Sequence, residues 1–175
     1  ISGAVAITPD LDGSQTLSIT GRIGEDGGST AIGGRDVDMF KISVASRGNV
    51  TITLSPDTDD RADFDSFLRL FNESGTELAN DDDSGDTGYS RLTENLQPGV
   101  YYIGVSGSPN TSYAPTVAGG VVGETGTYSL SLSLSNSDPN GLLSGAVEVQ
   151  LGNDLTPLEF AGFIGADLGQ PVGTS

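Results

Sequence analysis

Short runs in which apolar and polar residues alternate recur along the chain, and this period of two most constrains the fold. Phe40, Ile42 and Val44 alternate with Lys41 and Ser43. Similar runs cover residues 17–23, 50–54, 100–106 and 128–134. Since successive side chains of a strand point to opposite faces, the pattern is typical of half-buried strands. Gly, Asn and Asp separate the runs, so the sequence predicts an all-β sandwich of antiparallel sheets.

The charge balance excludes several classes of partner. The chain has seven Lys and Arg residues and 24 Asp and Glu residues, which give a formal net charge of −17. Such a surface repels phosphate backbones and anionic lipids, so we expect no nucleic acid partner and no membrane insertion. No signal peptide and no long apolar run is present either, and we expect the chain to be a mature piece of a longer protein.

The missing residue types remove most catalytic chemistry. The chain has no Cys and no His, which excludes thiol catalysis, Ser-His-Asp triads and histidine-ligated zinc. A Ser-Lys mechanism would depend on Lys41, the only lysine, which has no Ser-x-x-Lys context. We therefore predict that the chain is not an enzyme.

An acidic stretch at residues 63–86 is the main candidate site. The strand-like run 67–71 is followed by the turn signal 72–75 and then by a cluster of acidic and amide side chains. If the segments on either side of this turn pair as a hairpin, the cluster lies close to Asp65, which precedes the first of them. Its members are Asn80, Asp81, Asp82, Asp83 and Asp86.

Oxygen ligands without nearby His or Cys favour a hard cation, and we predict Ca²⁺ between these carboxylates. The alternative is a solvated acidic loop. Asn80, Asp82, Ser84 and Gly85 also fit the first half of an EF-hand loop. Arg91 stands where that loop needs a bidentate Glu, and no helices flank the segment, so an EF-hand is rejected.

Asp36 and Asp38 form a second candidate metal site. They lie two residues apart at the start of a predicted strand, so their side chains share one face. Together with Asp10 or Asp12 they would bind a second ion. The alternative is that these charges protect a strand edge from pairing with another chain.

Aromatic residues suggest a third kind of site. Tyr101, Tyr102 and Tyr113 are candidates for a face that binds sugar or peptide. Aromatic residues on strands also form core contacts and cross-strand pairs, and this alternative stays open.

The end of the chain repeats its beginning. Residues 143–147 repeat residues 1–5, and residues 162–169 match residues 21–28 in the same order. Asp138-Pro139-Asn140-Gly141 marks the junction. The repeat predicts a tandem array.

In this array, residues 1–137 form one unit and residues 138–175 form the junction and the opening of a second. We therefore expect adjacent repeats or self-association as partners. Residues 143–175 would pack on their own module or complete a neighbour's sheet.

Five motifs together resemble a known family. They are Asp-Val-Asp-Met-Phe at 36–40, the run at 65–71, Gly-Thr-Glu-Leu-Ala-Asn-Asp-Asp at 75–82, Leu-Gln-Pro-Gly-Val-Tyr-Tyr-Ile-Gly-Val at 96–105, and Gly-Thr-Tyr-Ser-Leu at 126–130. The chain is similar to the bacterial pre-peptidase C-terminal domain over roughly residues 1–135. The collagen-binding domains of clostridial collagenases share this pattern.

The resemblance implies a jelly-roll-like β-sandwich from a secreted bacterial protein, often stabilised by calcium and not catalytic. In the collagen-binding relatives, metal ligands come from an acidic N-terminal segment and from the Asp-x-Asp strand start. On this sequence the latter implies Asp36 and Asp38. The tyrosine surface that contacts collagen cannot be placed residue by residue.

These observations combine into one hypothesis and one alternative. The hypothesis is a calcium-binding module of a tandem-repeat protein, extracellular or on the cell surface, acting as a structural or adhesive stalk or filament unit. Extracellular polysaccharide or a protein matrix would be its further partners. The alternative is a substrate-binding accessory domain of a secreted hydrolase, specific for polysaccharide or a collagen-like substrate.

Overall fold

Nine strands make up the regular structure of the described part of the chain. The computed structural model describes residues 4–7, 16–25, 32–57, 64–85, 88–117 and 120–136. The strands are β1 (Val5–Ile7), β2 (Thr16–Ile23), β3 (Asp38–Val44), β4 (Gly48–Ser55), β5 (Ser66–Asn72), β6 (Glu77–Asp81), β7 (Arg91–Leu96), β8 (Gly99–Gly107) and β9 (Gly126–Asn136). A short 3₁₀ turn, Gly33–Arg35, precedes β3. No helix in these ranges is long and apolar enough to cross a membrane.

The strands form two sheets. The five-stranded sheet has the order β1-β3-β8-β5-β6, and the four-stranded sheet has the order β2-β9-β4-β7. β1 runs parallel to β3, whereas β8 is antiparallel to both β3 and β5, and β9 is antiparallel to β2. The predicted all-β, jelly-roll-like sandwich is confirmed.

The inward-facing residues of both sheets form the main hydrophobic core. Ile42, Leu68 and Ile103 from the five-stranded sheet and Ile52 and Leu130 from the four-stranded sheet are each at most 1% exposed. All of them except Leu68 come from a run of alternating apolar and polar residues; Leu68 lies in the run 67–71, where apolar residues are adjacent. The apolar faces that alternation predicted are thus the faces that the sandwich buries.

A second apolar cluster lies on the opposite face of the five-stranded sheet. It contains Phe71, Tyr102 and Tyr113, the last of which belongs to the long connection between β8 and β9. The guanidinium carbon of Arg69 lies 4.7 Å from the ring centre of Phe71 and 4.6 Å from that of Tyr113. Arg69 Nη1 also donates to the Tyr113 carbonyl oxygen at 2.6 Å, so this part of the connection is fixed on the sheet.

A tight turn joins β5 to β6, as predicted. Asn72 Oδ1 accepts hydrogen bonds from the backbone N–H groups of Ser74 at 3.0 Å and Thr76 at 2.9 Å. Gly75 has a φ of 81°, a conformation that favours glycine. β5 and β6 therefore form the antiparallel hairpin on which the acidic site depends.

Several predictions fall on residues outside the described ranges. They concern Asp10, Asp12, Asp86, and the junction and second repeat at 138–175.

Candidate metal centre

Three carboxylates meet at the end of the β5–β6 hairpin. Asp65 directly precedes β5, and Asp82 and Asp83 directly follow β6. One oxygen from each of the three lies within 4.8 Å of those of the other two. The pairing of Leu68 with Asp81 explains this placement, because it brings the start of β5 next to the residues that follow β6. The structure thus brings together three of the predicted ligands.

A buried pair of serines fixes the chain on the core side of the cluster. The Ser90 backbone N–H donates to Ser66 Oγ at 3.0 Å, and the Ser90 hydroxyl donates to the Ser66 carbonyl oxygen at 2.7 Å. The two hydroxyl oxygens are 2.9 Å apart. Both residues are 0% exposed, and they connect the first residue of β5 to the residue before β7. Asp65, the neighbour of Ser66, is positioned by this contact.

Asp81 organises the loop after β6. Its Oδ2 accepts hydrogen bonds from the backbone N–H groups of Arg91 at 2.7 Å and Ser84 at 3.1 Å. Its Oδ1 accepts the Ser84 hydroxyl at 2.6 Å. Asn80 is also engaged, because its amide nitrogen donates to Glu77 Oε1 at 2.7 Å. These two predicted ligands have protein partners and lie outside the three-carboxylate group.

Gly85 is a requirement of the same loop. Its backbone N–H donates to the Tyr89 carbonyl oxygen at 2.6 Å. A Cβ atom at this position would lie 2.2 Å from that oxygen, much closer than any side chain allows. The glycine that resembled an EF-hand glycine in the sequence is therefore needed for close contact between two backbone segments.

Partial burial and mutual repulsion raise the pKa values of Asp65 and Asp82. Partial burial, followed by the charges of Asp65, Asp83 and Asp81, raises the pKa of Asp82. Partial burial, followed by Asp83 and Glu124, raises the pKa of Asp65, while a hydrogen bond with Ser108 lowers it. Asp82 Oδ1 is buried and has no hydrogen-bond partner among the described residues.

No cation within the described ranges pairs with this group. The two salt bridges there join Arg22 to Glu25 and Arg69 to Glu77. The three carboxylates therefore face one another without a basic side chain between them.

Glu124 is a neighbour of the site that the sequence did not reveal. Its Oε2 accepts the backbone N–H of Asp65 at 2.9 Å, and its own N–H donates to the Ser108 carbonyl oxygen at 2.9 Å. The contact joins positions 59 residues apart, beyond the reach of local pattern. One signal was available: Glu124 is the single charged residue between Ser108 and Thr125.

The donor set suits a hard divalent ion. Calcium takes oxygen ligands at about 2.3–2.6 Å, so two ligand oxygens on opposite sides of it are about 5 Å apart. The separations within 4.8 Å in the three-carboxylate group fit that limit. The group offers three carboxylate ligands, and waters or backbone oxygens would have to complete the coordination.

Asp36 and Asp38 use oxygens in hydrogen bonds within the fold. Asp36 is 6% exposed, and its Oδ2 accepts the backbone N–H of Gly24 at 2.8 Å. Asp38 Oδ2 accepts the Tyr128 hydroxyl at 2.6 Å. Burial and then the Asp38 charge raise the pKa of Tyr128, so this phenol stays a donor. A second ion at Asp36 and Asp38 stays a prediction.

The three candidate tyrosines do not share an exposed face. Tyr102 and Tyr113 are buried, at 8% and 4% exposure, in the cluster beside Phe71. Tyr101 is half-buried against the main core, and its hydroxyl donates to the Gln97 carbonyl oxygen at 2.9 Å. These are the packing contacts that the sequence offered as the alternative, and ligand binding by the tyrosines stays a prediction.

The chain resembles a known family in sequence and several solved structures in fold. Residues 36–107 match the family model of the bacterial pre-peptidase C-terminal domain. No curated protein matches the chain. Similar solved structures include the pre-peptidase C-terminal domain of collagenase from Bacillus anthracis, with 19% identity, a TM-score of 0.45, and coverage of 75% of this chain and 94% of that chain. Aeromonas hydrophila PliG, a periplasmic inhibitor of g-type lysozyme, has 13% identity, a TM-score of 0.47, and coverage of 75% and 97%.

Proposed function

Residues 36–107 belong to the family of the bacterial pre-peptidase C-terminal domain, and from this premise we propose that the chain is a calcium-binding structural module of an extracellular or cell-surface protein. The domains of this family are non-catalytic accessory domains and occur in secreted proteins. The resemblance found in the five sequence motifs is thereby confirmed over the matched residues.

The observation that carries the proposal is the group formed by Asp65, Asp82 and Asp83. Three carboxylates whose oxygens lie within 4.8 Å of one another destabilise the fold unless protons or a cation reduce their repulsion. Partial burial and, after it, this repulsion raise the pKa values of Asp65 and Asp82. The buried Asp82 Oδ1, which lacks a hydrogen-bond partner in the described part, supports a ligand at this point.

Calcium would act here as a structural clamp. Asp65 stands before β5, while Asp82 and Asp83 stand after β6, so an ion bound to all three would tie both ends of the hairpin. A ligand that binds only the folded state stabilises it by about 2.7 kcal/mol at one hundred times its Kd. Such a module would become stiffer wherever calcium is abundant.

The repeated sequence supports a structural or adhesive role as a stalk or filament unit. Residues 143–147 resemble residues 1–5, and residues 162–169 resemble residues 21–28, which favours an array of similar modules. The partners would then be adjacent repeats of the same chain or further copies of it, and extracellular polysaccharide or protein matrix.

Thermal unfolding of the full chain tests the calcium proposal. We expect millimolar Ca²⁺ to raise the midpoint of the chelator-treated protein and Mg²⁺ to raise it much less. Asp82→Asn should abolish the calcium shift without lowering stability in chelator, because it removes repulsion. Glu73→Gln, which removes one charge from the exposed turn at the other end of the hairpin, is the matched control and should keep the shift. A shift that is absent, or that Asp82→Asn leaves intact, would refute the proposal.

The alternative function is a substrate-binding accessory domain of a secreted hydrolase. The family match favours it, because these domains often accompany secreted proteases. Tyr101, the half-buried tyrosine, is the first residue to test. We would measure retention of the full chain on insoluble polysaccharide and on fibrillar collagen. Retention that Tyr101→Ala abolishes while circular dichroism shows a folded chain would support this function, and no retention would exclude it for these substrates.

A further inference from the structure

The edge strands on the two sides of the sandwich differ in how far they are protected. Each sheet ends in two edge strands, and an edge strand presents unpaired backbone groups that can pair with another strand. On one side β6 and β7 contact each other, and the Asp81 carboxylate accepts the Arg91 N–H across the gap between the sheets. On the other side the edges are β1 and β2.

β2 is the longest edge strand in the described part of the chain. It pairs with β9 along all eight residues, from Thr16 with Ser133 to Ile23 with Gly126, and with no other strand of the described part. Its sequence, TLSITGRI, has no proline and no acidic residue. Arg22 is its one charged residue, whereas β6 and β7 each carry two charged residues, including acidic ones, and β1 is three residues long.

The residues of β2 also leave apolar surface uncovered. Leu17 and Ile19 point towards the main core but are only half-buried, because they lie at the margin of the sandwich. Ser18 and Thr20 alternate with them on the exposed face. Thr and Ser make favourable cross-strand pairs, and another strand beside β2 would cover the two aliphatic side chains.

The partner that fits this edge best is a second copy of the same strand. The net charge of −17 makes copies repel at most surfaces, whereas β2 contributes only Arg22, whose charge faces Glu25 at 3.6 Å. An antiparallel pair of identical strands satisfies two-fold symmetry, because each strand offers the other the same donors and acceptors.

We propose that β2 is a self-association surface, at which the β2 strands of two copies pair antiparallel and join the two four-stranded sheets into one. This inference goes beyond calcium binding and does not depend on it. The test is therefore made in chelator, where a failure of the calcium proposal cannot affect the outcome.

Sedimentation analysis of the full chain over a range of concentrations tests the proposal. The mass should rise towards twice the 17.8 kDa of one chain. Thr20→Lys places a cation at the middle of the β2 edge and should weaken dimerisation at least tenfold, because each copy then meets a lysine. The variant also lowers the net negative charge, from −17 to −16, so general repulsion cannot explain a loss.

Thr93→Lys is the matched control. Thr93 is likewise an exposed threonine on an edge strand of the same sheet, β7, and its replacement should leave the dimer intact. Circular dichroism checks folding, and Ser18→Lys, at a second exposed position of β2, should repeat the effect if Thr20→Lys does not fold. A monomer at every concentration, or equal weakening by the β2 and β7 variants, would overturn the proposal.

Discussion

Two groups of aspartates, both predicted from the sequence to bind metal, have very different surroundings in the fold. Asp36 and Asp38 accept a backbone N–H from Gly24 and a hydroxyl from Tyr128. Asp65, Asp82 and Asp83 face one another instead, with oxygens within 4.8 Å. Asp36 and Asp38 thus have hydrogen-bond donors supplied by the protein, whereas the carboxylates of the second group lie mainly next to one another.

The difference shows that spacing in the sequence does not determine what a carboxylate does. Asp36 and Asp38 connect the start of β3 to the end of β2 and to β9, because Gly24 follows β2 and Tyr128 lies in β9. One oxygen of each therefore accepts a hydrogen bond from within the fold. We expect an added cation to change stability most at the three-carboxylate group.

The largest effect separating the two groups is expected from Asp36→Ala. The substitution leaves the buried Gly24 N–H without its acceptor, which costs about 1–3 kcal/mol. Urea unfolding should show this loss with calcium and with chelator alike. Asp36→Asn retains an acceptor oxygen and should cost less. A loss that appears only in calcium would mean that Asp36 is a metal ligand instead.

A smaller effect is expected from Asp81→Ala. This carboxylate accepts two backbone N–H groups and one hydroxyl on an exposed loop, so we expect a loss of about 1 kcal/mol in chelator. The calcium shift should weaken as well, because Asp82 and Asp83 follow directly. Asp82→Asn should weaken the calcium shift without lowering stability in chelator. If Asp81→Ala and Asp82→Asn were equally stable in chelator, this would contradict the assignment of Asp81 to loop structure and of Asp82 to calcium binding.

The smallest effect concerns pH. Because the pKa values of Asp65 and Asp82 are raised, the folded state binds more protons than the unfolded state above the ordinary value of 3.8. The contribution of these groups to the free energy of unfolding therefore falls as pH rises through the raised pKa values. In chelator, the free energy of unfolding of the wild type should therefore fall relative to that of Asp82→Asn as pH rises. Saturating calcium should remove it, and a difference independent of pH in chelator would contradict it.

The sequence predicted the local part of this arrangement and missed the distant part. The alternation of apolar residues identified β2, β3, β4, β8 and β9. The Asn72 to Gly75 turn signal placed Asp65 near Asp82, because a hairpin is a local structure. The contacts of Asp38 with Tyr128 and of Glu124 with Asp65 join positions 90 and 59 residues apart. They depend on the order of strands in the sheets, which period and spacing do not determine.

The serine pair behind the acidic group illustrates the same limit. Ser66 and Ser90 are fully buried and hydrogen-bonded to each other, yet each belongs to a sequence with many serines. Only the packing of β5 against the start of β7 distinguishes them. The same is true of Tyr102 and Tyr113, whose burial depends on how the long connection after β8 covers the sheet.

The most direct test of the central claim is calorimetric titration of calcium into the full chain after removal of metal. The account predicts saturable binding that Asp82→Asn weakens at least tenfold and that Asp36→Asn leaves within a few-fold of the wild type. Absence of binding, or binding that depends on Asp36 and not on Asp82, would contradict it.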